Sequence, residues 1–63
     1  MKKSETIKKL TNFGLRLDAS DRSQACVDAF CVEMESRQYG INETANAFAW
    51  FESGWKQAAG RLK

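Results

Sequence analysis

Three stretches of the chain carry apolar residues at helical spacing, and they are separated by Gly14, the polar cluster Asp18 to Ser20, and Gly40. The middle stretch shows the pattern most clearly. At about 100° per residue, Cys26, Val27, Phe30, Cys31 and Met34 fall in one stripe, while Asp28, Glu33, Glu35 and Ser36 lie outside it. Val32 is the exception, an apolar residue on the polar side. Asp18, Ser20 and Asp21 all have capping chemistry, and Asp21 with Gln24 three residues on resembles a capping box in which an acid replaces the hydroxyl. The spacing predicts a helix over about residues 21–39, with Gly40 as its stop.

The C-terminal stretch holds two apolar stripes. Thr44, Phe48, Phe51, Trp55, Ala58 and Leu62 follow the alternating four- and three-residue spacing of a single helix face. Trp50 falls outside that seam, roughly 100° or more from Phe51 and Trp55, beside Ala47, Gly54 and Arg61. Asn42 is a good N-cap with Glu43 following it, so a helix is predicted over about residues 43–60. The N-terminal stretch, SETIKKLTNF, reads as a short helix with Ser4 as cap, Glu5 at the positive end of the dipole, and Ile7, Leu10 and Thr11 on one face. Gly14 suits the left-handed conformation that ends a helix. Because Leu15 and Leu17 alternate with Arg16, an extended segment or a short strand through residues 10–17 is the alternative.

These elements define one all-α domain spanning residues 1–63. A turn of a few residues, Tyr39 to Asn42, makes the two main helices antiparallel neighbours, an αα-hairpin. Its expected core is Phe30 and Met34 against Phe48, Phe51 and Trp55, with the N-terminal helix or extended segment over one edge. A chain this short buries only about 60% of the surface it exposes when unfolded. A homodimer is therefore expected as the source of further buried area. Trp50, Ala47 and Gly54, with Val32 from the middle helix, form the candidate interface: tryptophan is a favoured interface anchor, and a small residue one turn away makes room for a partner. The competing position for Trp50 is beneath the N-terminal segment, against Ile7, Leu10 or Phe13.

Charge and cysteine content narrow the chemistry. Net charge is +2, but it is unevenly spread: residues 1–17 carry +4, residues 18–52 carry −5 and residues 53–63 carry +3. If the termini meet, Lys2, Lys3, Lys8, Lys9, Lys56 and Arg61 are the candidate nucleic-acid contacts, salt-sensitive and without sequence readout. Solvated surface or charge pairing between subunits is the plainer reading. Cys26 and Cys31 lie five residues apart, about 140° around a helix. They are expected to be buried thiols rather than a disulfide. With no histidine and two cysteines, no structural zinc site and no cofactor is expected. The acids are scattered at helical surface spacing, and no phosphate-cradling glycine loop is present, so no catalytic residue is assigned and no enzyme is expected. No apolar run approaches the roughly 20 residues that cross a bilayer. With no signal-peptide pattern either, a cytoplasmic location is expected.

Two resemblances add to this reading. The stretch FESGWKQAAGR is similar to the ending of ribosome modulation factor and related small bacterial proteins, with Phe51, Gly54, Trp55, Lys56 and Ala58 at matching positions. Phe51 stands where that family usually has tryptophan, and its arginine-rich upstream half is missing. This resemblance implies ribosome or RNA binding as an alternative function. The run DASDRSQACVDAFCVEMESRQYGINETANAFAWFESGWKQAAGRLK resembles the small early proteins of lambdoid bacteriophages encoded between the recombination and excision genes. That resemblance implies an accessory protein acting by contact with a host or phage protein. Its expected effect is on the choice between lysis and lysogeny or on host physiology.

Overall fold

Thr6 and Leu10, one helical turn apart, are the first side chains to disappear completely from solvent. They belong to α1 (Lys3–Phe13), which is followed by α2 (Gln24–Met34) and α3 (Ile41–Arg61). The structure is a computed structural model that describes residues 1–20 and 22–61, with backbone alone for residues 60 and 61. No strand occurs among the described residues. The rival strand over residues 10–17 is thereby replaced: residues 10–13 finish α1, and Leu15 and Leu17 are half-buried in the loop that follows.

α1 starts two residues earlier than a Ser4 cap implies, with Lys2 in the cap position and no side-chain cap bond. Its buried stripe is Thr6 and Leu10, with Ile7 half-buried; Thr11 is exposed. The Thr6 hydroxyl donates to the Lys2 carbonyl at 3.3 Å, which lets a polar residue sit in the core without an unsatisfied group. At the other end Gly14 has φ 108°. Its N–H donates to the Thr11 carbonyl at 2.9 Å, and that of Leu15 to the Leu10 carbonyl at 3.1 Å. These are the two bonds of a Schellman cap. A Cβ added at Gly14 meets nothing within 4 Å, so the cost of a side chain there is conformational alone. Gly14→Ala should destabilise the fold by about 1–2 kcal/mol, read as a lower urea midpoint with unchanged slope.

The ends of α2 differ from the expected ones. Ser23 is the N-cap, its side chain accepting from the Cys26 N–H at 3.3 Å. Gln24 turns back instead to donate to the Leu17 carbonyl at 2.7 Å, and Asp21 lies outside the described residues. The helix ends at Met34, well short of residue 39. There the Glu35 and Arg37 N–H groups reach the Val32 and Met34 carbonyls in tightened three-residue turns. The link to α3 is therefore residues 35–40 rather than a turn at Tyr39 to Asn42. Gly40 opens α3 rather than stopping α2. Its carbonyl accepts from the Thr44 N–H at 2.9 Å and the Thr44 hydroxyl at 2.7 Å, while the Glu43 carboxylate accepts from the Gly40 N–H at 3.4 Å. Asn42 is consequently inside the helix rather than its cap.

α3 packs against both other helices, most extensively against α1, so the N-terminal helix is a full partner in the core rather than a cover over one edge. Phe30 sits at the centre, edge-on to Phe48 at 5.1 Å between ring centroids and to Phe51 at 5.5 Å. Leu10, Cys26, Val27, Cys31, Met34 and Ala45 complete the buried core with Met1. Arg22 clamps the loop before α2 onto α3. Its Nε donates to Glu52 at 2.8 Å, another guanidinium nitrogen donates to the Arg16 carbonyl at 2.8 Å, and the guanidinium lies 5.3 Å from the Phe48 ring centroid.

Cys26 and Cys31 are both free thiols and both buried, and burial pushes the pKa of each up. The folded state thus holds its thiol protons more tightly than the unfolded chain. Stability is complete below the unfolded thiol pKa of about 8.5 and declines as pH rises through the higher folded values. The urea midpoint should fall on the alkaline side, and a Cys26→Ala/Cys31→Ala double variant should show a shallower alkaline decline.

Candidate protein-contact surface

The helical repeat of α3 turns Phe48 inward and Trp50, two residues on, outward. Phe48 is 1% exposed and Trp50 is 80% exposed. Of the two positions open to Trp50, the chain adopts the one in solvent: Leu10 is fully buried in the core without it, and Phe13 is itself exposed. Ala47 is half-buried and Gly54 exposed, one turn before and one turn after Trp50 on the same strip. A Cβ placed on Gly54 meets nothing within 4 Å, so this stretch of helix backbone is open to close approach. Asn46 and Gln57 flank the strip as exposed neutral polar residues. Val32, 64% exposed, stands on α2 on the face turned away from Phe30 and Met34.

The five residues expected to form the core are covered to different degrees. Phe30, Met34 and Phe48 are buried, whereas Phe51 and Trp55 are half-buried and pack against the core from one side. Their rings stack at 6.2 Å with 25° between planes. From Ser53 to Ala59 every residue except Trp55 is exposed, and Leu62 lies outside the described residues.

Two of the six candidate nucleic-acid contacts are tied into the chain. Lys3 Nζ lies 3.1 Å from Asp28, and its hydrogen bond to that carboxylate, followed by the charge attraction, holds the Lys3 pKa above its ordinary value. Lys9 Nζ donates to the Tyr39 carbonyl and to Met1 Sδ. Lys2, Lys8 and Lys56 are exposed, and the Arg61 side chain lies outside the described residues. Part of the charge segregation along the sequence thus resolves inside the molecule, where the basic N-terminal segment meets the acidic middle one at Lys3 and Asp28. A further pair, Arg37 with Glu33 at 3.3 Å, is local to the end of α2.

Two features escape the apolar pattern. The Arg22–Glu52 clamp joins residues thirty apart, and the Met1 nitrogen donates to the Met34 and Glu35 carbonyls at the end of α2. Neither has a local sequence signal. The Gly40–Glu43–Thr44 cap did have one, since a Glu three residues after a cap glycine supplies the carboxylate half of a capping box. Among the described residues no three His, Cys, Asp or Glu side chains are grouped to hold a metal ion, and no helix is long and apolar enough to cross a membrane. The arrangement offers an apolar anchor on a rigid helix, with room beside it. Set against known protein families, curated proteins and solved structures, the chain matches none of them.

Proposed function

We propose that this chain is a non-catalytic protein-contact module that self-associates as a homodimer and regulates a host or phage protein in the cytoplasm. The observation that carries the reading is Trp50. A tryptophan side chain displays a large apolar surface, yet α3 holds this one out in solvent on the face opposite Phe48. Gly54, one turn on, leaves the helix surface low enough for a facing helix to approach, while Ala47, one turn before, also packs against the core. The regulatory role in phage development rests on the resemblance of residues 18–63 to small early phage proteins.

Ribosome or nucleic-acid binding is the reading this one displaces. Its basic set is weakened by Lys3 and Lys9, whose ammonium groups are turned to Asp28 and to the Tyr39 carbonyl. Sedimentation equilibrium over a dilution series tests the dimer. Retention from host lysate, with and without nuclease, tests the partner: a protein retained by the native chain after nuclease treatment, and lost with Trp50→Ala, is the expected result. Retention that nuclease abolishes, together with salt-sensitive binding to mixed oligonucleotides, would overturn it in favour of nucleic acid.

A further inference from the structure

Positions 43, 47, 50, 54, 57 and 61 of α3 follow one another at alternating steps of four and three residues. At 3.6 residues per turn this keeps all six within one strip about 80° wide. Glu43, Trp50, Gly54 and Gln57 are exposed along it, and Ala47 is half-buried. The strip is ordered chemically. Read forward to its middle it runs acid, small residue, tryptophan; read backward from residue 61 it runs base, amide, glycine. Each position therefore has a complement equally far beyond a midpoint at position 52. Trp50 matches Gly54, Ala47 matches Gln57, and Glu43 matches Arg61.

We propose that Trp50 is covered by the same strip of a second copy, with the two α3 helices antiparallel about a two-fold axis level with position 52. This register rests on the self-association reading above and deepens it. A two-fold contact is self-complementary: if one position faces another, the reverse contact forms as well. Antiparallel strips bring each position before the midpoint against one equally far after it. The Trp50 ring of each copy then lies over Gly54 of the other, where an added Cβ meets nothing within 4 Å and the backbone is lowest. The outer layers set Glu43, whose carboxylate is steadied by the Gly40 N–H, at the register position of Arg61 in the second copy. The acidic end of one strip thus meets the basic end of the other, on both sides of the axis. Parallel strips do the opposite. They set tryptophan on tryptophan and Glu43 on Glu43, and they leave a gap where glycine faces glycine.

Two variants with one added cysteine each, Ala47→Cys and Gln57→Cys, read the register. Cys26 and Cys31 are buried, so the native chain serves as the blank. In the antiparallel pair position 47 of one copy faces position 57 of the other, whereas the two copies of position 47 lie about 15 Å apart along the axis. Thiols held in one layer react at an effective concentration in the millimolar range, so a mixture of the two variants treated with a short bis-maleimide should cross-link at least roughly tenfold faster than either variant alone. That result supports the register. Either variant cross-linking alone as fast as the mixture overturns it in favour of parallel strips. A mixture that stays unlinked while the native chain sediments as a dimer overturns it in favour of another surface, and in both cases self-association stands. A native chain that is monomeric throughout the micromolar range removes the register and the self-association reading together.

Discussion

Phe48→Ala should abolish the cooperative fold. Phe48 is fully enclosed, meets Phe30 edge-on at 5.1 Å, and lies beneath the guanidinium that Arg22 holds in place through Glu52. Truncation removes the aromatic contact with Phe30 and the surface on which the Arg22 loop rests. The loss joins a core cavity to a loosened clamp. Truncating a buried phenylalanine typically costs about 3–5 kcal/mol. A single core in a chain of this size rarely supplies more than about 3–5 kcal/mol in total. The two magnitudes are comparable, so the variant should show little helical signal by circular dichroism at 25 °C and no sigmoidal melt. Phe48→Leu, which keeps most of the volume, should melt cooperatively at a lower temperature. A Phe48→Ala chain that melts within a few degrees of the native one would show that Phe48 is not the keystone its burial implies.

The reason Phe48 is decisive while Phe51 and Trp55 are only half-covered was not visible in the spacing, which places all three on one seam. It lies in the relative lengths of the helices. α3 has 21 residues against 11 each for α1 and α2. At 1.5 Å per residue it is roughly 32 Å long, about twice the others, and close to the 34 Å longest dimension of the molecule. Its final turns therefore extend past what α1 and α2 can cover. Periodicity reports which way a side chain points and is silent on whether anything stands opposite. The stripe of α2, from Cys26 to Met34, was legible because every member has a facing neighbour.

Helix ends were the least legible part, for a related reason. Capping rules consider residues close in sequence, and Gly14 and the Gly40–Glu43–Thr44 group obey them. At the C-terminus of α2 the Met34 carbonyl accepts from the Met1 nitrogen, more than thirty residues away, and such a contact leaves no local signal for the stop at Met34. The charge pattern had the same blind spot. A basic N-terminus beside an acidic middle was compatible with solvated surface, pairing between subunits or a nucleic-acid partner. In the fold, Lys3 finds Asp28, and Arg22, in the middle segment, finds Glu52. What sequence did isolate was Trp50, because its displacement from the Phe48–Phe51–Trp55 seam follows from helical angles alone.

Trp50→Ala should leave the fold intact and remove association. At 80% exposure the indole contributes little to the folded chain, and alanine is the better helix former, so stability should stay within about 0.5 kcal/mol of native or rise slightly. At an interface a buried tryptophan typically accounts for about 2 kcal/mol or more, roughly thirtyfold in dissociation constant. The contrast with Phe48→Ala is what identifies the role: one variant loses the fold, the other keeps it and loses the partner. Gly54→Ala sharpens the test. Its added methyl meets nothing within 4 Å in the isolated chain, and replacing a mid-helix glycine gains up to about 1 kcal/mol of stability. If a facing helix approaches the backbone at this point, the same methyl pushes it away. A more stable chain that associates less well can only be explained by a contact at Gly54 outside the chain itself. Sedimentation and thermal melts on the native, Trp50→Ala and Gly54→Ala chains measure both quantities. A native chain that stays monomeric across the micromolar range and retains the same lysate proteins as Trp50→Ala would leave this strip without a binding role.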